Sequence, residues 1–175
     1  MVSLTDENRA MVIWGLEQMK QGGRLGISQL LAISGSKTKE LDETMIGFSI
    51  APRLNAIGRL GDPNPAITLL TTFDEEEAKA LAQSFDEINQ KRKDFVELAT
   101  KEALEQVDDS HQVHLLVGEN WHEGILGIVA GRILQATGKP TIALTTKGDH
   151  LLKGSGRSIE SLNMFQMLQR GKDLL

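Results

Sequence analysis

The 175-residue chain has no cysteine, which excludes a disulfide framework, a thiolate nucleophile and every zinc site that needs sulfur ligands. Four histidines are what remains for soft-metal binding. Excess positive charge is missing too. Nineteen Lys and Arg face 24 Asp and Glu, a formal charge of −5, so no global basic field marks a nucleic-acid binder and any such role rests on local charge. No apolar run approaches the ~18 residues of a membrane span, and the opening MVSLTDENRA lacks the basic and apolar regions of a signal peptide. The expectation is a soluble, cytoplasmic protein with no membrane contact. Internal repeats and low-complexity tracts are also absent. A hydrophobic content of 40% is enough to bury a core in one ordinary domain or two small ones.

Charge divides the chain unequally. Residues 1–73 sum to 0, 74–109 to −7 and 111–175 to +2, so the acidity belongs to the middle segment. There Phe73, Ala78, Leu81, Ala82, Phe85, Ile88, Phe95, Ala99, Ala103 and Val107 recur at three- and four-residue steps with no internal Gly or Pro, which predicts one long amphipathic helix of roughly 50 Å. Asp74-Glu75-Glu76-Glu77 sits in its first turn, where carboxylates complement the positive end of the helix dipole. Arg92 falls on the apolar stripe, consistent with a snorkelling stem.

Upstream, Leu4, Met11, Val12, Leu16 and Met19 predict a helix closed by Gly22-Gly23, and 27–33 predicts a short second one. Between 46 and 65, Gly47, Pro52, Gly58, Gly61, Pro63 and Pro65 follow closely, so regular structure is expected to break into a loop carrying Arg53, Asn55 and Arg59. Downstream, 113–118 reads as a buried strand, 124–135 as a helix and 140–145 as a second strand, a βαβ unit expected to be parallel and right-handed. A third strand starts at 151–153, and 158–170 reads as a helix capped near Ser158 or Ser161. The fold class is α/β: an N-terminal helical segment, a long connector helix, then a βαβ-containing sheet domain.

Three places carry chemistry. Trp121-His122 leaves a strand and enters a helix whose Gly124, Gly127 and Gly131 are three and four apart; the glycines fit close helix-on-sheet packing, whereas His122 is either substrate-facing or a satisfied structural histidine. Lys153-Gly154-Ser155-Gly156-Arg157-Ser158 offers hydroxyls, amides and two cations suited to a phosphate or carboxylate, and is equally an ordinary Gly-Ser turn with an exposed arginine. Arg59, in Asn55-Ala56-Ile57-Gly58-Arg59, has the same two readings. His111 and His114 lack a nearby acid cluster and make a poor metal site.

In order along the chain, Leu4-Thr5-Asp6-Glu7-Asn8-Arg9, the run from Gly47 through Ala51-Pro52-Arg53-Leu54-Asn55-Ala56-Ile57-Gly58-Arg59, Trp121-His122-Glu123-Gly124 and Gly154-Ser155-Gly156-Arg157-Ser158 resemble the bacterial RecJ single-stranded-DNA-specific exonucleases of the DHH phosphoesterase superfamily. The resemblance covers nearly the whole chain. It implies that 1–73 is the helical end of the DHH metal domain, 74–110 the connector helix and 111–175 a partial, truncated DHH-associated domain. It also implies a 5′-to-3′ exonuclease of recombination and repair, using Mn²⁺ or Mg²⁺ in its full-length form. Neither an Asp-His-His motif nor the family's aspartate cluster occurs here, and the Gly-Gly-His that follows Gly-Ser-x-Arg-Ser in the family is not reached. The expectation is therefore a piece cut at both ends that binds no metal, has no catalytic residue of its own and is inactive alone. Carried over by position, Arg59, Asn55, Ser155, Arg157 and His122 would contact the single strand or its 5′ phosphate. Alternatives are a superfamily relative that cleaves short oligonucleotides or cyclic dinucleotides, or a non-catalytic nucleic-acid-binding module. Cut surfaces would favour self-association into homo-oligomers.

Overall fold

A computed structural model describes residues 3–147 and 151–172. The chain forms two compact units, Met1–Lys91 and Arg92–Leu175, with the boundary falling inside one long helix.

In the first unit, α1 (Asp6–Lys20) carries Asp6 and Glu7 in its first turn. It ends where Gly22 adopts φ +92° and donates its N–H to the Met19 carbonyl at 3.1 Å, a left-handed stop that glycine adopts without steric cost. In α2 (Leu25–Ile33), Gly26 lies so close to α5 (Asn64–Thr71) that a Cβ there would fall 2.0 Å from the Leu69 carbonyl oxygen. The two helices thus meet backbone to backbone. Around them Leu30, Leu31, Leu41, Ile50, Ile57, Leu69, Ala82 and Phe85 form a buried cluster, each large apolar side chain contributing about 1.5–3 kcal/mol relative to exposure.

The expected loop over 46–64 is instead mostly helical. A single turn, α3 (Glu43–Met45), is capped by Asp42, whose carboxylate accepts from Met45 N at 2.7 Å; a π-helical turn over Ile46–Ile50 follows, and then α4 (Ala51–Leu60). Gly47 lies inside the π-helical turn and Gly58 inside α4, whereas the prolines mark boundaries. Pro52 sits where the π-helical turn passes into α4, and Pro65 occupies the first turn of α5, where a missing N–H leaves no helical bond unmade. Gly61 ends α4 in an extended conformation.

The long helix is α6 (Glu75–Glu105), 31 residues and therefore about 46 Å at 1.5 Å per residue. Asp74 Oδ1 accepts from Glu77 N at 3.1 Å, an N-terminal cap. Its buried positions in the first unit are Ala78, Ala82, Phe85 and Asn89, and in the second Val96, Ala99 and Ala103. Val96, not Phe95, takes the core position, and Phe73 and Phe95 are exposed. Arg92 is half-buried.

The second unit contains β1 (His114–Gly118), α7 (Leu126–Thr137), β2 (Thr141–Lys147), β3 (Leu151–Arg157) and α8 (Met164–Arg170). The sheet order is β1-β2-β3, with β1 and β2 parallel as the βαβ reading requires and β2 and β3 antiparallel. Leu116, Ile125, Leu126, Val129, Ala130, Ile133 and Ala143 form the core between α7 and the sheet. The outer edge of β1 is covered by the Gln106 side-chain amide, which donates to the Val117 carbonyl at 3.0 Å and accepts from Val117 N at 2.9 Å. That imitates a strand partner at one position and blunts the edge. In the preceding turn, Asp108 accepts from Ser110 N at 2.8 Å, and that backbone bond holds its carboxyl below the usual carboxylate range.

Two further expectations change. The Gly-Ser segment is no turn, because β3 continues through it to Arg157. Gly154 and Gly156 are compatible with that strand because one face is overlain closely: a Cβ would fall 2.3 Å from Leu144 Cδ2 and 2.1 Å from Met164 Sδ, respectively. The last helix begins at Met164 rather than 158, capped by Asn163, which accepts from Gln166 N at 3.1 Å. Ser158 instead donates its hydroxyl to the Leu162 carbonyl at 2.8 Å, closing a turn after the strand.

Candidate nucleic-acid interface

Alternate residues of a strand share a face, so Lys153, Ser155 and Arg157 form a row along β3, opposite Thr145, Ala143 and Thr141 of β2. This is the face covered by α7. Thr141, Ala143 and Thr145 are buried there, while Ser155 is half-buried and Lys153 and Arg157 are exposed. The Arg157 guanidinium donates through Nη1 to the Gly156 carbonyl at 2.8 Å and lies 3.4 Å from Ser155 Oγ. A planar guanidinium beside a hydroxyl is a suitable donor set for phosphate oxygens. Above them lies Gly127 of α7, where a Cβ would come within 2.7 Å of Arg157 Nη2 and 3.0 Å of Ser155 Oγ. Farther along the row, Lys153 Nζ pairs with Glu123 Oε2 at 2.7 Å.

His122 precedes Glu123 on the loop from β1 to α7. Its Nδ1 accepts from Gly124 N at 3.1 Å, so the neutral ring carries its proton on Nε2. The imidazole is half-buried and lines a pocket of about 200 Å³ with Phe95, Leu98, Glu102 and Trp121. Trp121 fixes this loop. Only 6% exposed, it donates its indole N–H to Glu102 Oε2 at 2.7 Å, and its ring covers Gly118, where a Cβ would fall 2.1 Å from Cδ2.

In the first unit, Asn55 and Arg59 are one helical turn apart on α4 and both exposed, so they project side by side, whereas Ala56 and Ile57 are buried. Arg53 has a different surrounding. Its guanidinium binds Asp86 Oδ1 through Nε at 2.8 Å and Nη2 at 2.7 Å, and its Nη1 donates to the Ser49 carbonyl at 2.6 Å. The five sequence candidates thus fall into two groups, Asn55 with Arg59 and Ser155 with Arg157, with His122 on the β1–α7 loop. Sequence reasoning had no signal for the partnerships of Arg53 with Asp86 or Trp121 with Glu102, which join residues 33 and 19 positions apart. The period-2 row through Lys153 was legible once 151–157 is read as a strand.

Among the described residues no three His, Asp or Glu side chains come together to hold a metal ion, and no chemical step is assigned to one. No helix among them is long and apolar enough to cross a membrane.

Residues 109–173 match the DHHA1 domain. Along its whole length the chain is 37% identical to the single-stranded-DNA-specific exonuclease RecJ of Bacillus subtilis, of which it covers 23%. It is 37% identical to the Escherichia coli exonuclease of the same name, with 97% of this chain and 31% of that protein aligned. The crystal structure of RecJ in complex with Mg²⁺ from Thermus thermophilus superposes with a TM-score of 0.88 at 32% identity, covering 99% of this chain and 27% of that one. A RecJ structure bound to manganese gives 0.85 at 32% identity, covering 98% and 43%. The chain spans about a quarter to a third of the length of the curated relatives it matches. Residues 109–173 thus carry a DHHA1 domain, and the chain as a whole is similar to a segment of the RecJ exonucleases.

Proposed function

We propose that this chain is the substrate-gripping part of a single-stranded-DNA-specific 5′-to-3′ exonuclease of cytoplasmic DNA recombination and repair, and that the metal-binding catalytic core belongs to the rest of the full-length enzyme. In this reading 1–73 completes the metal domain, 74–110 connects, and 111–175 supplies the DHH-associated grip. Arg59 and Asn55 of the first unit, and Ser155, Arg157 and His122 of the second, contact the strand or its 5′ phosphate. The observation that carries the reading is the Ser155 and Arg157 pair beside Gly127, in a chain aligned throughout with RecJ. A net acidic chain is compatible with it, because a phosphate clamp needs only a few well-placed cations. The solved relatives described with Mg²⁺ and Mn²⁺ support divalent-metal use by the full-length enzyme.

In the full-length enzyme, Arg59→Ala and Arg157→Ala should each weaken binding of 5′-phosphorylated single strands by on the order of tenfold, with a shallower salt dependence. Unchanged affinity in both variants overturns the grip. The 175-residue chain alone should leave labelled single strands intact in Mn²⁺; chelator-sensitive products made by it would overturn the division of labour. Exposed Met11, Ile13, Trp14 and Phe48 support self-association of the chain, which sedimentation equilibrium over a concentration series reads directly.

A further inference from the structure

We infer that Gly127 is a positioning residue for the phosphate grip: its missing side chain is the space in which the Arg157 guanidinium and the Ser155 hydroxyl are held together on the α7 face of β3. The inference rests on the reading of Arg157 and Ser155 as phosphate ligands.

A Cβ on Gly127 would lie 2.7 Å from Arg157 Nη2, 3.0 Å from Ser155 Oγ and 3.3 Å from Arg157 Cζ. All three are functional-group atoms at the ends of side chains, and none is backbone. The clash is therefore relieved by swinging the guanidinium and turning the hydroxyl, with the helix and sheet left where they are. Gly26 is the contrasting case, since its Cβ would strike the Leu69 carbonyl and could be relieved only by separating two helices. Gly131, one turn along α7, would bring a Cβ only to 3.9 Å from Arg157 Cγ, an ordinary van der Waals contact. Of the two α7 glycines near Arg157, then, only Gly127 constrains where the charged fork points. Glycine at 127, the second residue of α7, leaves room for the guanidinium. A bidentate phosphate contact depends on the plane and direction of that group, so a displaced fork retains its charge and loses its geometry.

The experiment measures, with the purified full-length enzyme, the preference for a 5′-phosphorylated over a 5′-hydroxyl single strand, alongside thermal unfolding. Gly127→Ala should cut that preference by on the order of tenfold while unfolding remains cooperative, and Gly131→Ala should leave it unchanged. In a background carrying both Arg157→Ala and Ser155→Ala, Gly127→Ala should produce no further loss, since both groups it displaces are gone. If Gly127→Ala also lowers the melting temperature, the same background should restore it, because the clashing atoms have been removed. A preference lost in Arg157→Ala and kept in Gly127→Ala overturns the positioning role alone. A preference kept in Arg157→Ala overturns the underlying phosphate reading. An equal loss in Gly131→Ala, or a further loss from Gly127→Ala in the background lacking both groups, makes the effect a general one of α7 packing and also overturns the inference.

Discussion

The Arg53 guanidinium reaches across 33 positions of sequence to hold one oxygen of Asp86 through two nitrogens, at 2.8 and 2.7 Å. Because Nη1 also takes the Ser49 carbonyl, a single side chain joins the π-helical turn, the start of α4 and the long helix. The Arg53 side chain is 12% exposed and that of Asp86 40%, so solvent screens the pair only in part. Lysine offers a point charge rather than a fork. Arg53→Lys and Asp86→Asn should therefore each destabilise the first unit by about 1–3 kcal/mol, measured as a lower urea midpoint with the slope unchanged. A midpoint unmoved in both would show that the triple contact contributes nothing net.

Trp121 and Gly118 form the second device. Gly118→Ala would drive a methyl into the indole ring, at a cost of about 1–3 kcal/mol for overpacking, and would release the loop that carries His122. In a Trp14→Phe background the remaining tryptophan, Trp121, reports this directly, and its emission should shift to the red as the ring meets water. Glu102→Ala, which removes only the indole's acceptor, should produce a smaller shift in the same direction.

Two glycines should respond oppositely to the same substitution. Gly15, inside α1, has no atom within 4 Å of an added Cβ, so Gly15→Ala should stabilise by about 0.5–1 kcal/mol. Gly26→Ala meets the Leu69 carbonyl and should cost about 1–3 kcal/mol. Denaturant titration of both variants decides the comparison, and equal effects would refute the close α2–α5 approach.

Glu123 is an acid placed on a cationic row. Its pair with Lys153 is half-exposed, with side chains 45% and 54% accessible, so little stability depends on it. Glu123→Gln should leave unfolding nearly unchanged and raise single-strand affinity by a few fold, about 1 kcal/mol or less, with a steeper salt dependence. A drop in affinity would instead make the ion pair an organising contact of the row.

Local periodicity was enough to define the long helix and the parallel unit. The stripe through Ala78, Ala82, Phe85, Ala99 and Ala103 defines α6, and the apolar run at 114–118 with the pattern after it defines the parallel β1–α7–β2 unit. Both signals lie within a few residues of chain. Asn55 with Arg59 and Ser155 with Arg157 were singled out by resemblance, and nearness in sequence keeps each pair adjacent in space. Tertiary structure decided whether Gly and Pro interrupt or merely begin an element. Pro52 and Pro65 became boundary prolines because the helices they open bury Ile57 and Leu69. Gly154 and Gly156 became strand residues because Leu144 and Met164 fill the space their side chains would take. Which glycine serves the grip was equally a matter of packing. Gly127 and Gly131 are equivalent in the helical spacing of α7, and only the placement of β3 beneath the helix sets one of them against a guanidinium and leaves the other in ordinary contact.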